Sequence, residues 1–205
     1  MKKIKPIIIA FLGKSASGKN TLAIELHKLL KKNNIPSKLL LHDTTRPRRK
    51  DEYQDIDYHF VSNKVFGHNI IFGRYLEYTK FNNWYYGTNK FQIVDTMINI
   101  GIFNPKSLKQ LNELQSFYTI IPIYIDTNVF TRLNRSIKRE NKLKKEFIRR
   151  IIADHKDFKK MEKYLNDYFK DFLIFHNEKD SSKIVSMIYY WIKIHGIHKG
   201  LAKNV

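Results

Sequence analysis

One stretch constrains this chain more than any other: Gly13-Lys14-Ser15-Ala16-Ser17-Gly18-Lys19-Asn20-Thr21. An apolar, β-branched run at residues 6–12 precedes it. In the segment that follows, residues 20–32, Leu22, Leu26, Leu29 and Leu30 fall on one helical face. A glycine-bounded loop in that setting turns backbone N–H groups toward one point, and the helix N-terminus adds positive potential there. This is the context of a phosphate-binding P-loop, with Lys19 placed to hold β- and γ-phosphates. The usual Ser or Thr after the lysine is Asn20 here, and Thr21 follows it. A second apolar strand at residues 38–42 completes a βαβ unit, which sets the class as α/β.

The chain of 205 residues suits a single α/β domain with a sizeable core. Its hydrophobic content of 42% excludes a disordered chain. The absence of cysteine excludes disulfides and thiolate metal sites and fits a reducing compartment. The basic start and apolar run resemble a weak leader, but the run is too short to span a bilayer and leads directly into the P-loop. A buried first strand, no membrane segment and a cytoplasmic protein are therefore expected. The formal charge of +19 is spread along the whole length. That distribution favours a solvated basic surface and small anionic substrates over a nucleic-acid partner.

Residues 43–88 are polar and aromatic, with strand-like pieces at 57–61 and 75–78, and read as an inserted small subdomain. Beyond them the pattern predicts a helix at 89–100, a third strand at 101–103 and a helix at 106–114. A fourth strand at 118–125 precedes a helix at 128–138 and a charged, mobile stretch at 139–145. A single amphipathic helix at 146–169, a fifth strand at 171–176 and a last helix at 181–194 complete the reading. The expected architecture is a five-stranded parallel sheet with helices on both faces. His195 and His198 form a His-x-x-His pair with no evident third ligand, and no metal site is expected there.

Substrate class is carried by later segments. Thr44-Thr45-Arg46-Pro47-Arg48-Arg49 is followed by Asp57-Tyr58-His59-Phe60-Val61-Ser62, then Tyr75-Leu76-Glu77-Tyr78 and Trp84-Tyr85-Tyr86-Gly87-Thr88. A monophosphate dianion needs several donors, and Arg46 and Arg49 offer forked, charge-assisted ones. Tyr58 and Tyr86 add hydroxyls. Guanine presents N1–H and a 2-amino group on one edge, and a carboxylate such as Glu77 accepts both. Together with the P-loop, these pieces resemble the guanylate kinase family, closely over residues 7–92 and more loosely to about 195.

The resemblance implies a P-loop kinase core at 1–43 and 89–195, a nucleoside-monophosphate-binding subdomain at 44–88, a lid at about 135–150 and a basic tail at 196–205. It implies phosphoryl transfer from ATP to GMP or dGMP with Mg²⁺. ATP would bind at Gly13, Ser15, Ala16, Ser17, Gly18, Lys19, Asn20 and Thr21. The acceptor would bind at His42, Arg46, Arg49, Tyr58, Glu77, Tyr86, Thr88 and Asn104. Catalysis would rest on Lys19, Arg46, Arg139 and Arg150, with Arg149 one residue away and Arg135 in the same segment.

The sequence departs from the family pattern in places. The two acids usual at the end of the third strand are replaced by Ile102 and Asn104, and the serine ahead of Thr44-Thr45 is His42. Asp43 is the candidate to supply the missing carboxylate near the metal. Competing readings are a broad-specificity deoxynucleoside monophosphate kinase, a ribose-bisphosphate kinase and a non-catalytic guanylate-kinase-like binding domain. The intact Lys19 and loop glycines argue against the last.

Overall fold

The computed structural model describes residues 5–140, 145–178 and 180–197, with backbone only at 139, 140, 145 and 146. The first strand, β1 (Ile7–Gly13), is wholly buried. It pairs in parallel on both sides, with β7 (Ile98–Ile102) and with β8 (Thr119–Asp126). Next to β7 lies β2 (Ser37–Leu39), and next to β8 lies β9 (Leu173–His176), both parallel. The resulting order, β2-β7-β1-β8-β9, is the expected five-stranded parallel sheet.

Alternation along β1 explains why both faces are covered. Ile7, Ile9 and Phe11 face one core, shared with Leu22, Ala23, Leu26 and Leu30 of α1 (Lys19–Lys32) and with Ile184, Ile188 and Ile192 of α7 (Ser181–Ile194). Ile8, Ala10 and Leu12 face the other, shared with Leu108 and Leu111 of α3 (Pro105–Asn112) and with Phe158, Met161 and Leu165. The last helix coincides with the expected span because Asp180 caps it, accepting from the backbone N–H groups of Ser182 and Lys183.

A second, four-stranded sheet has the order β4-β3-β6-β5. Its strands are β3 (His42–Thr44), β4 (His59–Phe60), β5 (Tyr75–Phe81) and β6 (Trp84–Asn89). Strands β5 and β6 form a hairpin whose two-residue turn, Asn82-Asn83, has φ of 50° and 64°. Asparagine tolerates that left-handed region better than most residues.

Several sequence expectations need correction. Residues 38–42 are not one strand: the chain leaves the main sheet at Leu39 and enters the second sheet at His42. Between them, the Gln92 side-chain amide takes the place of a strand neighbour. It donates to the Leu41 carbonyl at 2.7 Å and accepts from the Leu41 N–H at 2.9 Å. The helix expected at 89–100 is a short 3₁₀ turn (Lys90–Gln92) leading into β7. Buried Asn99 ties down the turn at Val94–Met97 that follows, donating to the carbonyls of Ile7, Val94 and Met97. The single helix expected at 146–169 is two, α5 (Lys145–Phe158) and α6 (Met161–Tyr168). The break at Lys159-Lys160 lets Phe158 and Met161 both reach the core beside Tyr124. A helix not foreseen, α2 (Asn63–Ile71), is capped by Ser62, which accepts from the Val65 N–H. The expected lid falls on α4 (Val129–Glu140), on α5 and on residues 141–144, which lie outside the described residues, as does His198 of the tail.

Candidate active site

The P-loop runs from the C-terminal end of β1 to the first turn of α1. Its two glycines have separate reasons. A Cβ on Gly13 would stand 2.6 Å from the Ile125 carbonyl oxygen, so close backbone approach requires glycine. Gly18 has φ of +92°, and a Cβ there would stand 2.5 Å from Asn177 Nδ2. Ala16 sits at φ 61° without being glycine, which stores backbone strain inside the loop.

The loop is held mainly through the carbonyl of buried Ser17. That oxygen accepts from Asn177 Nδ2 at 2.9 Å, Arg135 Nη1 at 3.0 Å and Thr127 Oγ1 at 3.2 Å. Arg135 thus serves the loop's backbone. Lys19 Nζ donates to the Lys14 carbonyl at 3.4 Å, and Asn20 and Thr21 are exposed at the first turn of α1. Lys14 Nζ lies 3.3 Å from Asp126 Oδ1 at the end of β8. Ser15 N–H donates to Asp154 Oδ2 at 2.7 Å. Buried Arg132 donates through Nη1 to both the Ser15 carbonyl and Asp154 Oδ2, each at 3.3 Å. A cleft of about 380 Å³ opens here, between Lys14, Asp126, Asn128, Arg132 and His155.

The second sheet brings several of the residues expected to bind the acceptor to one face. Pairing of His42 with Thr88, Thr44 with Tyr86 and Glu77 with Thr88 puts these side chains together. A bulge between Tyr75 and Glu77 sends Tyr75 to the opposite face. Glu77 is 1% exposed. Its Oε1 accepts from Thr88 Oγ1 at 2.7 Å and lies 3.4 Å from His42 Nε2, while its Oε2 is buried with no hydrogen-bond partner among the described residues. Burial works to raise the Glu77 pKa; His42 and the hydroxyls of Ser107 and Thr88 outweigh it and hold the carboxyl below the usual range. His42 meets the Phe103 ring edge-on, with ring centroids 5.7 Å apart.

Arg46 is buried beneath Tyr58 and Phe60, 5.4 and 5.8 Å from their ring centres. Its Nη2 donates to Glu52 Oε1 at 2.7 Å. Glu52 also accepts from the Arg49 N–H at 2.9 Å, so one acid organises both arginines. Tyr58 and Tyr86 lie edge to face at 6.1 Å. Asn104 is engaged at both ends of its amide: its Oδ1 caps α3 through the Ser107 N–H, and its Nδ2 donates to Thr79 Oγ1.

Asp43 lies on the other face of β3 from His42 and Thr44. Its Oδ2 accepts from Tyr75 Oη at 2.9 Å, in a layer where Phe66 of α2 stacks on Tyr75 and Tyr85. Burial raises the Asp43 pKa, and Tyr75, His59 and His42 only partly offset it. Ionising Asp43 therefore costs more in the fold than in the unfolded chain, and that cost grows as pH rises through the raised value. Asp43→Asn is expected to melt above the parent at neutral pH, with the gain vanishing in acid. It is also expected to leave the Mg²⁺ dependence of turnover unchanged; a shifted Mg²⁺ titration would assign this carboxylate to the metal instead.

Sequence reasoning did not find Glu52, Asp126, Arg132, Asp154 or Asn177. On α5, Arg149 Nη1 donates to Asn82 Oδ1 at 2.7 Å and its guanidinium lies over the Phe81 ring, so this helix reaches the β5–β6 hairpin. Arg150 follows on the same helix, and Arg139 lies on α4 with its side chain outside the described residues.

The chain is similar to known proteins over most of its length. A guanylate kinase of Clostridioides difficile is 27% identical over 172 residues, 80% of this chain and 79% of that protein. One of Rickettsia prowazekii is 31% identical over 149 residues, 69% of this chain and 74% of that protein. The crystal structure of guanylate kinase from Anaplasma phagocytophilum superposes with a TM-score of 0.65 at 16% identity, covering 94% of this chain and 87% of that one, which supports the fold. The family profile described as Guanylate kinase matches residues 3–182. With a P-loop on β1 and α1 and a second sheet bearing Glu77 and Thr88, the chain belongs to the guanylate kinase family.

Proposed function

We propose that this protein transfers the γ-phosphoryl group of ATP to GMP or dGMP, giving ADP and (d)GDP. The observation that carries the base assignment is the buried Glu77 carboxylate, whose Oε2 has no hydrogen-bond partner among the described residues. A buried charged acceptor without a donor is costly, so the face is built for a ligand that brings N–H groups. Guanine N1–H and its 2-amino group supply them as a pair, and adenine lacks that pair. Thr88 and His42 flank the same carboxylate.

Arg46, Arg49, Tyr58 and Tyr86 would take the acceptor phosphate, with Glu52 yielding its arginines to it. The P-loop and Lys19 would hold the ATP phosphates. An oxygen of the acceptor phosphate attacks the γ-phosphorus, the bond to the β–γ bridging oxygen breaks, and ADP leaves. Lys19, with Arg139 and Arg150 from the lid, would offset the charge on the transferring group.

Mg²⁺ fits as a companion of the nucleotide. Among the described residues no group of three or more His, Asp or Glu side chains could cage an ion. Oxygen donors near the loop include the Thr21 hydroxyl and the partly exposed Asp126 carboxylate, hard donors suited to an ion carried mainly by phosphates and water. Bound there, it would neutralise phosphate charge. No helix among the described residues is long and apolar enough to cross a membrane, and a cytoplasmic site of action goes with this reading.

A broad-specificity deoxynucleoside monophosphate kinase is the second reading. His42, 3.4 Å from Glu77 Oε1, and uncharged Asn104 favour it, because both alter the base face. ADP release from Mg²⁺·ATP with GMP, dGMP, AMP, dAMP, CMP, UMP and dTMP separates the two. Turnover confined to GMP and dGMP is the expected result. Turnover across several deoxy monophosphates would select the broad enzyme, and none with any of them would end both.

A further inference from the structure

Asp154, an acid that bonds the P-loop backbone, is not accounted for by phosphoryl transfer. Asp154, on α5, places Oδ2 2.7 Å from the Ser15 N–H, and the same oxygen lies 3.3 Å from Arg132 Nη1. A backbone N–H of a phosphate loop and a buried guanidinium converging on one oxygen is the arrangement a nucleotide phosphate oxygen would receive. Arg132 is 4% exposed and its Nε is buried with no partner among the described residues. Its donors are therefore only partly used by the carboxylate.

We propose that Asp154 is a positioning residue that stands in for a nucleotide phosphate on the P-loop and is displaced when ATP binds. A phosphate and a carboxylate carry like charge, and the single Ser15 N–H cannot serve both. Without nucleotide, Asp154 keeps the Ser15 N–H and Arg132 in the geometry that ATP needs. With nucleotide, it gives both up.

The place of Asp154 on α5 joins this exchange to the lid. Arg150 lies four residues earlier, so the acid and the arginine share a helix face. A shift of α5 that lifts Asp154 off the loop carries Arg150 with it. Arg149 meanwhile ties the helix to the β5–β6 hairpin through Asn82. ATP binding is thereby coupled to the position of the helix that touches the acceptor sheet. The inference rests on ATP as the ligand of this loop and not on which monophosphate is the acceptor.

The test is calorimetric binding of a non-hydrolysable ATP analogue to the full chain, with and without Mg²⁺, for the parent, Asp154→Asn and Asp154→Ser. Asparagine keeps an acceptor of the same shape and removes the charge. Asp154→Asn is expected to bind the analogue about tenfold more tightly than the parent in both conditions. Its melting temperature should fall without nucleotide and match the parent at saturating analogue.

Equal or weaker analogue binding in both conditions would overturn the proposal and leave Asp154 a structural brace. Weaker binding only with Mg²⁺ would overturn it in favour of a metal contact. If neither variant can be isolated empty, cooperative unfolding regained at saturating analogue supports the exchange, and failure to regain it overturns the proposal. An analogue that fails to bind the parent would instead defeat the assignment of ATP to the loop.

Discussion

Lys19→Met is expected to lower the turnover number for ADP formation by about 10³-fold, with a much smaller rise in the KM for ATP. The asymmetry follows from where the charge acts. Lys19 opens α1 at the focus of the loop, and its bond to the Lys14 carbonyl is long, at 3.4 Å. Such a bond is easily exchanged for a phosphate oxygen. Negative charge builds on the bridging and transferring oxygens during transfer, and only then is the ammonium needed most. Lys14 offers an internal contrast. Its amine is engaged by Asp126 at the rim of the loop, and Lys14→Met should cost no more than about tenfold. A coupled ADP-release assay reads both. Lys19→Met within tenfold of the parent would remove the loop from the role of donor site.

Glu77→Gln should lower kcat/KM for GMP by about 10³-fold, because the amide keeps one acceptor and presents two hydrogens to guanine's own donors. The loss should fall on GMP and dGMP and spare ATP binding. Stability gives a second, independent reading. The folded Glu77 carboxyl has its pKa held below the usual glutamate value, despite burial, by His42, Ser107 and Thr88. A depressed carboxyl stabilises the fold fully above the unfolded value and loses that contribution as pH falls through the folded one. The parent should therefore exceed Glu77→Gln in denaturant midpoint at neutral pH, and the gap should close in acid. A gap that widened in acid would reverse the sign of this account. Loss of GMP turnover without any stability gap would place the carboxylate's role in the ligand alone.

The parts legible in the sequence are those whose signal is local. The P-loop strand and helix, and α7 with its Asp180 cap, needed only period and punctuation. Arg46, Tyr58, Glu77, Tyr86 and Thr88 were legible as motifs, and two strand pairings bring most of them to one face. What stayed hidden depends on distant partners. Asp154 meets Ser15 across 139 residues of chain, and Asn177 meets Ser17 across 160. The strand at 98–102 was hidden by its own composition, since Ile98 and Ile100 suit a buried helix as well as a strand. Only the slot between β1 and β2 decides it. Helix α2 escaped notice because Gly67, His68 and Asn69 are poor helix formers and Phe66 is its only buried apolar side chain.

The Gln92 side chain has a mechanical consequence. Two segments connect the main sheet to the second one: the chain out through Leu40-Leu41 and the chain back through Lys90-Phe91-Gln92. The amide of Gln92 bonds both the N–H and the carbonyl of Leu41, so outgoing and returning strands are riveted at one place. Two separate crossings would resist twisting like a pair of parallel struts. One riveted crossing has the geometry of a pin joint: a turn of the second sheet about it would leave the strand ladders intact and would have to part side-chain bonds such as those of Gln110 to the Tyr78 backbone and of Asn104 to Thr79.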